Sequence, residues 1–224
     1  AAMMNLGVIL PEDGYLQEVR EITSRHGIVL IFDEVKTGIA IAPGGAVEKF
    51  GVIPDMVTLA KALGGGFPVG AIGGSEEVMA CVADGSVYQV GTYNGSPLCM
   101  AAARASLEQV MTPDAYTHLD HLNERILAGC DAVVEKHNLP GYTVGIGSKG
   151  CVTFSPTHVN DYESFKANQD AELSELAWLF NMNRGIFMTP GREEEWTLSV
   201  THTDEAIDRY FEVFEEMAFE LTRP

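Results

Sequence analysis

The sequence predicts an α/β fold with a mostly parallel sheet in its first half, followed by a smaller α+β part. Two apolar runs indicate the sheet, because residues 28–32 (IVLIF) and 56–60 (MVTLA) lack the polar alternation of a half-exposed strand. Each run stops at a polar residue, Asp33 in the first case and Lys61 in the second. A helical pattern precedes the first run, and helix followed by strand is half of an α/β unit.

Local signals place the other elements of the first half. Asp13 is positioned to cap a helix in which Leu16, Val19 and Ile22 share one face, and Gly27 favours the end of that helix. The remaining predicted elements are a third strand at residues 68–74 (PVGAIGG), a helix capped by Ser75, and a helix opened by Ser96 and Pro97.

The pattern changes near Thr112, where Thr112 and Pro113 interrupt a helix. We therefore predict one domain over residues 1–112 and a smaller C-terminal domain over residues 113–224. A long amphipathic helix is expected from Asp114 to about His137, with Leu119, Leu122, Ile126, Val133 and Val134 on its apolar face. The remaining predicted elements are strands at residues 142–146, 151–155 and 196–200, a helix at residues 171–183, and a last helix capped by Thr203 that runs through Ile207, Tyr210, Phe211 and Phe214.

Composition excludes several classes of protein. The 224 residues are 46% hydrophobic, which is enough for a packed core, and the net charge of −18 argues against nucleic acid or an anionic membrane as a partner. No apolar run approaches the roughly 18 residues of a membrane span. The four cysteines form no paired motif, so we expect neither a zinc site nor a disulfide framework, and a reducing cytoplasm is the default location. The sequence begins without a helix cap or charged tail, so we expect further protein before it.

Asp33 and Lys61 are the candidate catalytic residues. In open α/β sheets, ligands bind outside the carboxyl ends of the strands, where both residues are predicted to lie. Lys61 stands between apolar pairs and precedes Gly64, Gly65 and Gly66. We expect it to be buried, because burial favours the neutral amine that attacks a carbonyl. The alternative interpretation is that Asp33 caps a loop and Lys61 extends from a strand end into solvent.

A lysine and a carboxylate at neighbouring strand ends meet two needs of pyridoxal 5'-phosphate (PLP). The lysine holds the aldehyde as an imine, and the carboxylate keeps the pyridine nitrogen protonated. A phosphate site is the remaining need, and residues 91–97 (GTYNGSP) offer a threonine hydroxyl, loop amides and a helix start. An ordinary turn followed by a helix cap would explain the same seven residues.

Three motifs resemble successive motifs of the class III PLP-dependent aminotransferases, and most of all the branch that contains glutamate-1-semialdehyde 2,1-aminomutase. They are residues 30–38 (LIFDEVKTG), 54–74 (PDMVTLAKALGGGFPVGAIGG) and 88–103 (YQVGTYNGSPLCMAAA). The separation of Asp33 and Lys61, 61 − 33 = 28 residues, also matches. The resemblance extends from residues 3–16 to 196–217, and it implies the fold of the fold-type I PLP transferases.

The resemblance also implies a role for each site residue. Asp33 would pair with the pyridine nitrogen, Val35 would pack on one face of the ring, and Lys61 would be the Schiff-base lysine. Thr92 would bind the cofactor phosphate across a homodimer interface, and Glu194 would lie near the substrate entrance. The partners implied are an amino donor, a carbonyl acceptor and a second copy of the chain. Members of this family are about twice as long, so the half that supplies a phosphate loop and a ring-stacking aromatic residue is not in this sequence.

Departures from the aminomutase pattern leave the reaction open. That pattern has Met at the position of Lys36 and Phe-Arg at the positions of Ile39 and Ala40. The difference favours a transaminase acting on another amine or amino acid over an aminomutase. A non-catalytic fragment that only dimerises is the remaining alternative.

Two other functions are less compatible with the sequence. A dinucleotide-dependent dehydrogenase requires G-x-G-x-x-G after a strand, and GGGFPVG has the wrong spacing. His118 and His121 lack further ligands for a metal site and are expected to be exposed helix residues.

Overall fold

The computed structural model describes residues 1–168, 170–190 and 195–223, and it divides the chain into two compact units. The first unit comprises Ala1 and residues 11–115, and the second comprises residues 2–10 and 116–224. The domain boundary expected after residue 112 stays a prediction. In the structure the division falls after Ala115, and residues 2–10 group with the second unit.

The first unit contains a three-stranded sheet in the order β1-β2-β3. β1 and β2 are parallel, with Asp33 opposite Thr58, whereas β3 runs antiparallel to β2. The elements are α1 (Tyr15–Arg25), β1 (Ile31–Asp33), α2 (Gly38–Ile41), α3 (Gly45–Phe50), β2 (Met56–Leu59), a one-turn 3-10 helix called the 3-10 turn below (Lys61–Gly64), β3 (Ala71–Gly74), α4 (Glu76–Ala83), α5 (Pro97–Ala105), a short π-helix (Ser106–Val110) and the start of α6 (Pro113–His137).

Asp55 fixes the register of β1 and β2. Its carboxylate accepts the Leu30 N–H at 2.7 Å and pairs with the Arg20 guanidinium of α1 at 2.9 Å. The Asp55 N–H in turn donates to the Leu30 carbonyl at 2.8 Å. The Leu30 amide and Arg20 lower the pKa of the Asp55 carboxyl, because both stabilise its charged form.

Two expectations about the sheet are corrected by the structure. We expected residues 28–32 to be buried on both faces, but Ile28, Val29 and Ile31 are about half exposed and only Phe32 is buried. The strand is also shorter than the apolar run and begins at Ile31. An apolar run predicts that its residues form a strand. It does not show which faces of that strand are covered by other parts of the protein.

Helix caps were predicted with mixed success. Ser75 and Thr203 accept hydrogen bonds from Val78 N–H and Ala206 N–H, as expected for N-caps. Asp13 was the wrong cap of α1, because the N-cap is the next residue, Gly14, whose φ of 83° is left-handed. Ser96 occupies the N-cap of α5, directly before Pro97, but makes no side-chain capping bond.

The second unit packs helices against an antiparallel sheet of order β4-β5-β6. The five apolar residues predicted for the core face of α6 are all buried. Two polar interactions are also found in this unit. The Trp196 indole N–H donates to Asn123 Oδ1 at 2.8 Å. Lys149 pairs with Glu195 at 3.5 Å, and both of these side chains are buried. The elements are the remainder of α6, β4 (Tyr142–Ile146), β5 (Lys149–Thr153), α7 (Tyr162–Asn168), α8 (Ala171–Met182), β6 (Glu195–Thr197) and α9 (Asp204–Thr222).

Other sequence features have structural explanations in the described ranges. His121 is exposed as expected and pairs with Asp204 at the start of α9. His118 was wrongly expected to be exposed, because it is half-buried and bonds to the His202 carbonyl just before α9. The four cysteines are free thiols, and the buried Cys151 accepts the Val8 N–H at 3.2 Å. Across the three described ranges, no helix is both long and apolar enough to cross a bilayer.

Replacing Asp55 with alanine should lower the melting temperature at pH 7, because the Leu30 amide and Arg20 lose their carboxylate. The native pKa of Asp55 is depressed, so its stabilisation is complete above the unfolded value of about 4 and is lost as pH falls through the lower native value. The difference in melting temperature between wild type and Asp55→Ala, measured by circular dichroism, should therefore become smaller below pH ~4. Asp84→Ala is the control, because the Asp84 carboxylate accepts hydrogen bonds from Ser86, two residues away, and ties no strands together. An equal fall in melting temperature in Asp55→Ala and Asp84→Ala would contradict the role of Asp55 in setting the strand register.

Candidate active site

The parallel register brings the candidate catalytic residues to one edge of the sheet. Asp33 is the last residue of β1 and lies opposite Thr58. β2 ends one residue after Thr58, and Lys61 begins the 3-10 turn that follows. Because neighbouring parallel strands end at the same edge, Asp33 and Lys61 leave the sheet on the same side.

The Asp33 carboxylate is held through one oxygen. Oδ1 accepts the Val35 N–H at 3.0 Å and the Thr58 hydroxyl at 3.4 Å. Oδ2 makes no hydrogen bond within the described part of the chain. One carboxylate oxygen is therefore fixed by the protein, and the other is available to a ligand.

Lys61 lies in a strained turn and not in a buried pocket. Its φ of 45° is left-handed, which is uncommon for a residue with a side chain and is most frequent at functional sites. The expected burial of Lys61 was wrong, since its side chain is exposed in this chain. Among the residues that the structure describes, its amine forms no ion pair or hydrogen bond, so it is open to reaction.

Backbone conformation explains two of the three glycines that follow Lys61. Gly65 and Gly66 have φ values of 56° and 101°, which a side chain disfavours. Gly64 is buried, and a Cβ there would lie 3.3 Å from the Val69 side chain. On the other side, the Ser106 hydroxyl donates to the Ala62 carbonyl at 3.4 Å. These contacts hold the turn that presents Lys61.

Glu34 is a buried residue that the sequence analysis missed. Only 2% of it is exposed, although it directly follows Asp33. Its carboxylate accepts the Ala46 N–H at 2.7 Å, the Thr37 hydroxyl at 3.1 Å and the Val47 N–H at 3.4 Å. The available signal was a glutamate at a strand end with a threonine three residues later and a glycine pair further on. A charged residue is rarely buried, however, so that signal is weak.

The other predicted site residues are less closely linked. Val35 is half-buried next to Asp33. Thr92 is exposed in a turn that the Asn94 N–H closes on the Gly91 carbonyl at 3.0 Å, and it makes no hydrogen bond to Asp33 or Lys61. Glu194 lies outside the described residues. The structure therefore brings Asp33, Val35 and Lys61 together at one strand edge and leaves Thr92 on an exposed turn.

The second unit contains a cavity of about 600 Å³ with mainly apolar walls, to which Met188, Trp196 and Tyr210 contribute. His202 also lines it, and its Nδ1 accepts the Ser199 N–H at 2.9 Å. A neutral His202 ring therefore carries its proton on Nε2.

The residues at the strand edge fit PLP. A carboxylate with one fixed and one available oxygen suits a protonated pyridine nitrogen. An exposed amine without a partner suits an aldehyde, and a threonine hydroxyl on an open turn suits a phosphate. The chain therefore offers one group suited to each of three parts of PLP, the pyridine nitrogen, the aldehyde and the phosphate.

The chain belongs to the class III aminotransferases. The model of the family described as aminotransferase class-III matches residues 3–175, which is well over half of the chain. Members of this family are PLP-dependent enzymes. The resemblance seen in the motifs around Asp33, Lys61 and Thr92 is thus confirmed at the level of the family.

Individual relatives agree with that assignment. Glutamate-1-semialdehyde 2,1-aminomutase 2 of Brevibacillus brevis is 41% identical over 209 residues, which cover 93% of this chain and 48% of that protein. An ω-transaminase from Sphaerobacter thermophilus has a TM-score of 0.88 at 31% identity, over 98% of this chain and 50% of its own. A β-phenylalanine aminotransferase from Variovorax paradoxus has a TM-score of 0.86 at 32% identity, over 94% of this chain and 49% of its own. The chain therefore has the fold of this family and spans about half the length of these relatives.

Replacing Gly45 with alanine should release Glu34 from its amide partners. Gly45 has a φ of 61°, and a Cβ there would collide with the Glu34 carboxylate. Gly51→Ala is the matched control, because Gly51 has a φ of 66° with open space around it. Both variants carry the cost of a left-handed backbone, about 1–2 kcal/mol, but only Gly45→Ala displaces a buried charge.

We expect amide hydrogen exchange at residues 45–50 to be at least about tenfold faster in Gly45→Ala than in Gly51→Ala, as measured by mass spectrometry. Equal exchange rates in the two variants would show that the Glu34 carboxylate moves aside without loss of its bonds.

Proposed function

We propose that this chain is part of a PLP-dependent class III aminotransferase that moves an amino group from an amino acid or amine to a carbonyl acceptor. The observation that carries the proposal is the parallel pairing of β1 and β2, which places Asp33 and Lys61 at the same strand edge. Membership of the class III family supports PLP as the cofactor. Within the described residues, Asp33 Oδ2 and the Lys61 amine have no hydrogen-bond partner, which supports their roles in binding it.

Each residue has a distinct task in this proposal. When bound, PLP supplies a ring that accepts electrons from the substrate. Asp33 Oδ2 would accept a hydrogen bond from the protonated pyridine nitrogen, while Oδ1 keeps its bonds to Val35 and Thr58. Lys61 would hold the cofactor through its amine, and the same amine, once released, would take up and return the proton of the substrate carbon. Val35 would pack against one face of the ring.

Two residues at the start of α2, the helix that follows Asp33, favour transamination over aminomutase activity. Ile39 and Ala40 occupy the positions where the aminomutase pattern has Phe-Arg, and both lie buried in α2. This chain thus places no charged side chain at a position where the mutase pattern has a cation. Glutamate-1-semialdehyde aminomutase activity is the second candidate, because the 41% identical relative carries that name.

We also propose that Thr92 binds the phosphate of a PLP molecule held mainly by a second copy of the chain. The segment around Thr92 is open to solvent and apolar: Tyr88 and Tyr93 are 85% and 87% exposed, and Leu98 is also exposed. Exposed aromatic residues of this kind are typical of protein interfaces. The free cysteines agree with a reducing cytoplasm as the proposed location.

Lys61→Ala should abolish the covalent attachment of PLP. The wild-type chain with PLP should absorb near about 410–430 nm, and borohydride should fix the cofactor to the protein. Lys49→Ala is the control, because Lys49 is an exposed lysine of the same unit. It should behave like wild type, since it follows no strand end.

Three outcomes of the borohydride experiment are informative. Equal labelling of Lys61→Ala and wild type would contradict the role of Lys61. Labelling only after the upstream half of a relative is added would assign the site to the longer protein. No labelling in either form would favour the non-catalytic alternative.

Mixing two defective subunits should restore function if Thr92 acts across an interface. In a mixed dimer of Lys61→Ala and Thr92→Val subunits, one of the two sites has both residues intact. Random pairing of an equimolar mixture makes half of the dimers mixed, so about a quarter of all sites should recover borohydride labelling at low PLP concentration. Each variant alone should label poorly, and the labelled lysine should be found only in the Thr92→Val subunit. No recovery in a mixture that sedimentation shows to be dimeric would place Thr92 in its own subunit's site.

A further inference from the structure

We propose that Glu34 is a positioning residue that sets the orientation of Asp33 and Val35, and through Asp33 the protonation of the cofactor ring. This inference rests on the proposed function. It adds a buried carboxylate that never touches the cofactor yet determines how well the site binds and protonates it.

The Glu34 backbone is fixed on both sides. Its N–H donates to the Thr58 carbonyl at 2.9 Å, which extends the pairing of β1 and β2 by one residue. Its carbonyl accepts the Gly38 N–H at 2.9 Å, which starts the helical turn leading into α2. Glu34 is therefore the residue at which the strand changes into a turn.

The Glu34 side chain ties that turn to a second segment of the chain. Its carboxylate receives the amides of Ala46 and Val47, twelve and thirteen residues further on, as well as the Thr37 hydroxyl. Gly45 leaves the space that the carboxylate occupies. Since a buried carboxylate is stable only with such donors around it, the side chain has a single position available.

The two proposed cofactor contacts lie on either side of this fixed residue. The Val35 N–H donates to Asp33 Oδ1 at 3.0 Å, so a hydrogen bond spans Glu34 and links the residues that flank it. If the turn moves, that bond lengthens and Asp33 rotates. Functional groups need to be held within about 0.5 Å of their working geometry, so a small displacement is sufficient to weaken binding.

A carboxylate is the side chain best suited to this position. Three donors point at it, and a carboxylate offers acceptor sites only. Glutamine has the same length, but its NH₂ group would meet an N–H or O–H donor. Glu34→Gln therefore keeps the volume but removes the negative charge and one acceptor site.

Glu48→Gln is the matched control. Glu48 also accepts a backbone N–H, from Gly44 at 2.6 Å, and it lies on α3 close to Ala46 in sequence. It is exposed and makes no bond to the turn around Asp33. The control therefore tests the same chemical change a few residues away from the proposed positioning contact.

The experiment compares the wild-type chain and these two variants with PLP labelled with ¹⁵N at the pyridine nitrogen. The ¹⁵N shift reports the protonated fraction of the ring, and an absorption titration gives the dissociation constant. In Glu34→Gln we expect the dissociation constant to rise about tenfold, the effect of one lost charge-assisted bond, and the protonated fraction to fall. Borohydride should still attach PLP to Lys61. Glu48→Gln should match wild type in all three measurements.

Thr37→Val keeps the proposal testable if Glu34→Gln does not fold. Valine preserves the shape of the buried threonine and removes one donor to Glu34. It should shift the ring signal in the same direction by a smaller amount. A folded Glu34→Gln or Thr37→Val with a wild-type ¹⁵N shift and dissociation constant would overturn the positioning role, even if its melting temperature fell. If no borohydride-stable bond forms at Lys61, either in this chain or after the upstream half of a relative is added, the proposed function is refuted, and this inference with it.

Discussion

The register between β1 and β2 is the constraint on which the candidate site depends. Asp55 sets it by binding the Leu30 amide and Arg20 at the beginning of the two strands. With this register, Asp33 lies opposite Thr58, and Lys61 follows three residues after Thr58, in the turn beyond the end of β2. A shift by one residue would turn every side chain of β1 to the other face and separate the carboxylate from the amine. An ion pair at one end of the sheet thus determines the chemistry at the other.

The site is built from groups that the protein orients on one side and leaves open on the other. Asp33 uses one oxygen to bond Val35 and Thr58, and Lys61 stands in a left-handed turn with an exposed amine. Glu34 contributes rigidity by joining the end of β1 to the beginning of α3. Preorganisation of this kind reduces the cost of orienting groups when a ligand binds.

The sequence predicted what depends on neighbouring residues along the chain. Apolar runs that end in Asp33 and Lys61 located the strand edge, and helical spacing identified the buried face of α6. Features that depend on distant residues were missed or wrong. Glu34 is buried because residues 46 and 47 supply its donors, and Ile31 is exposed because no layer covers that face within the described residues. The cap of α1 was wrong by one residue because the left-handed Gly14, and not the Asp13 side chain, opens the helix.

A crystal structure of the chain grown with PLP would test the central claim most directly. The account predicts density for the cofactor that is continuous with Lys61 Nζ, and a pyridine nitrogen about 2.8 Å from Asp33 Oδ2. The bonds from Val35 and Thr58 to Oδ1 should be retained. PLP attached to another lysine, or a ring nitrogen that faces away from Asp33, would contradict it.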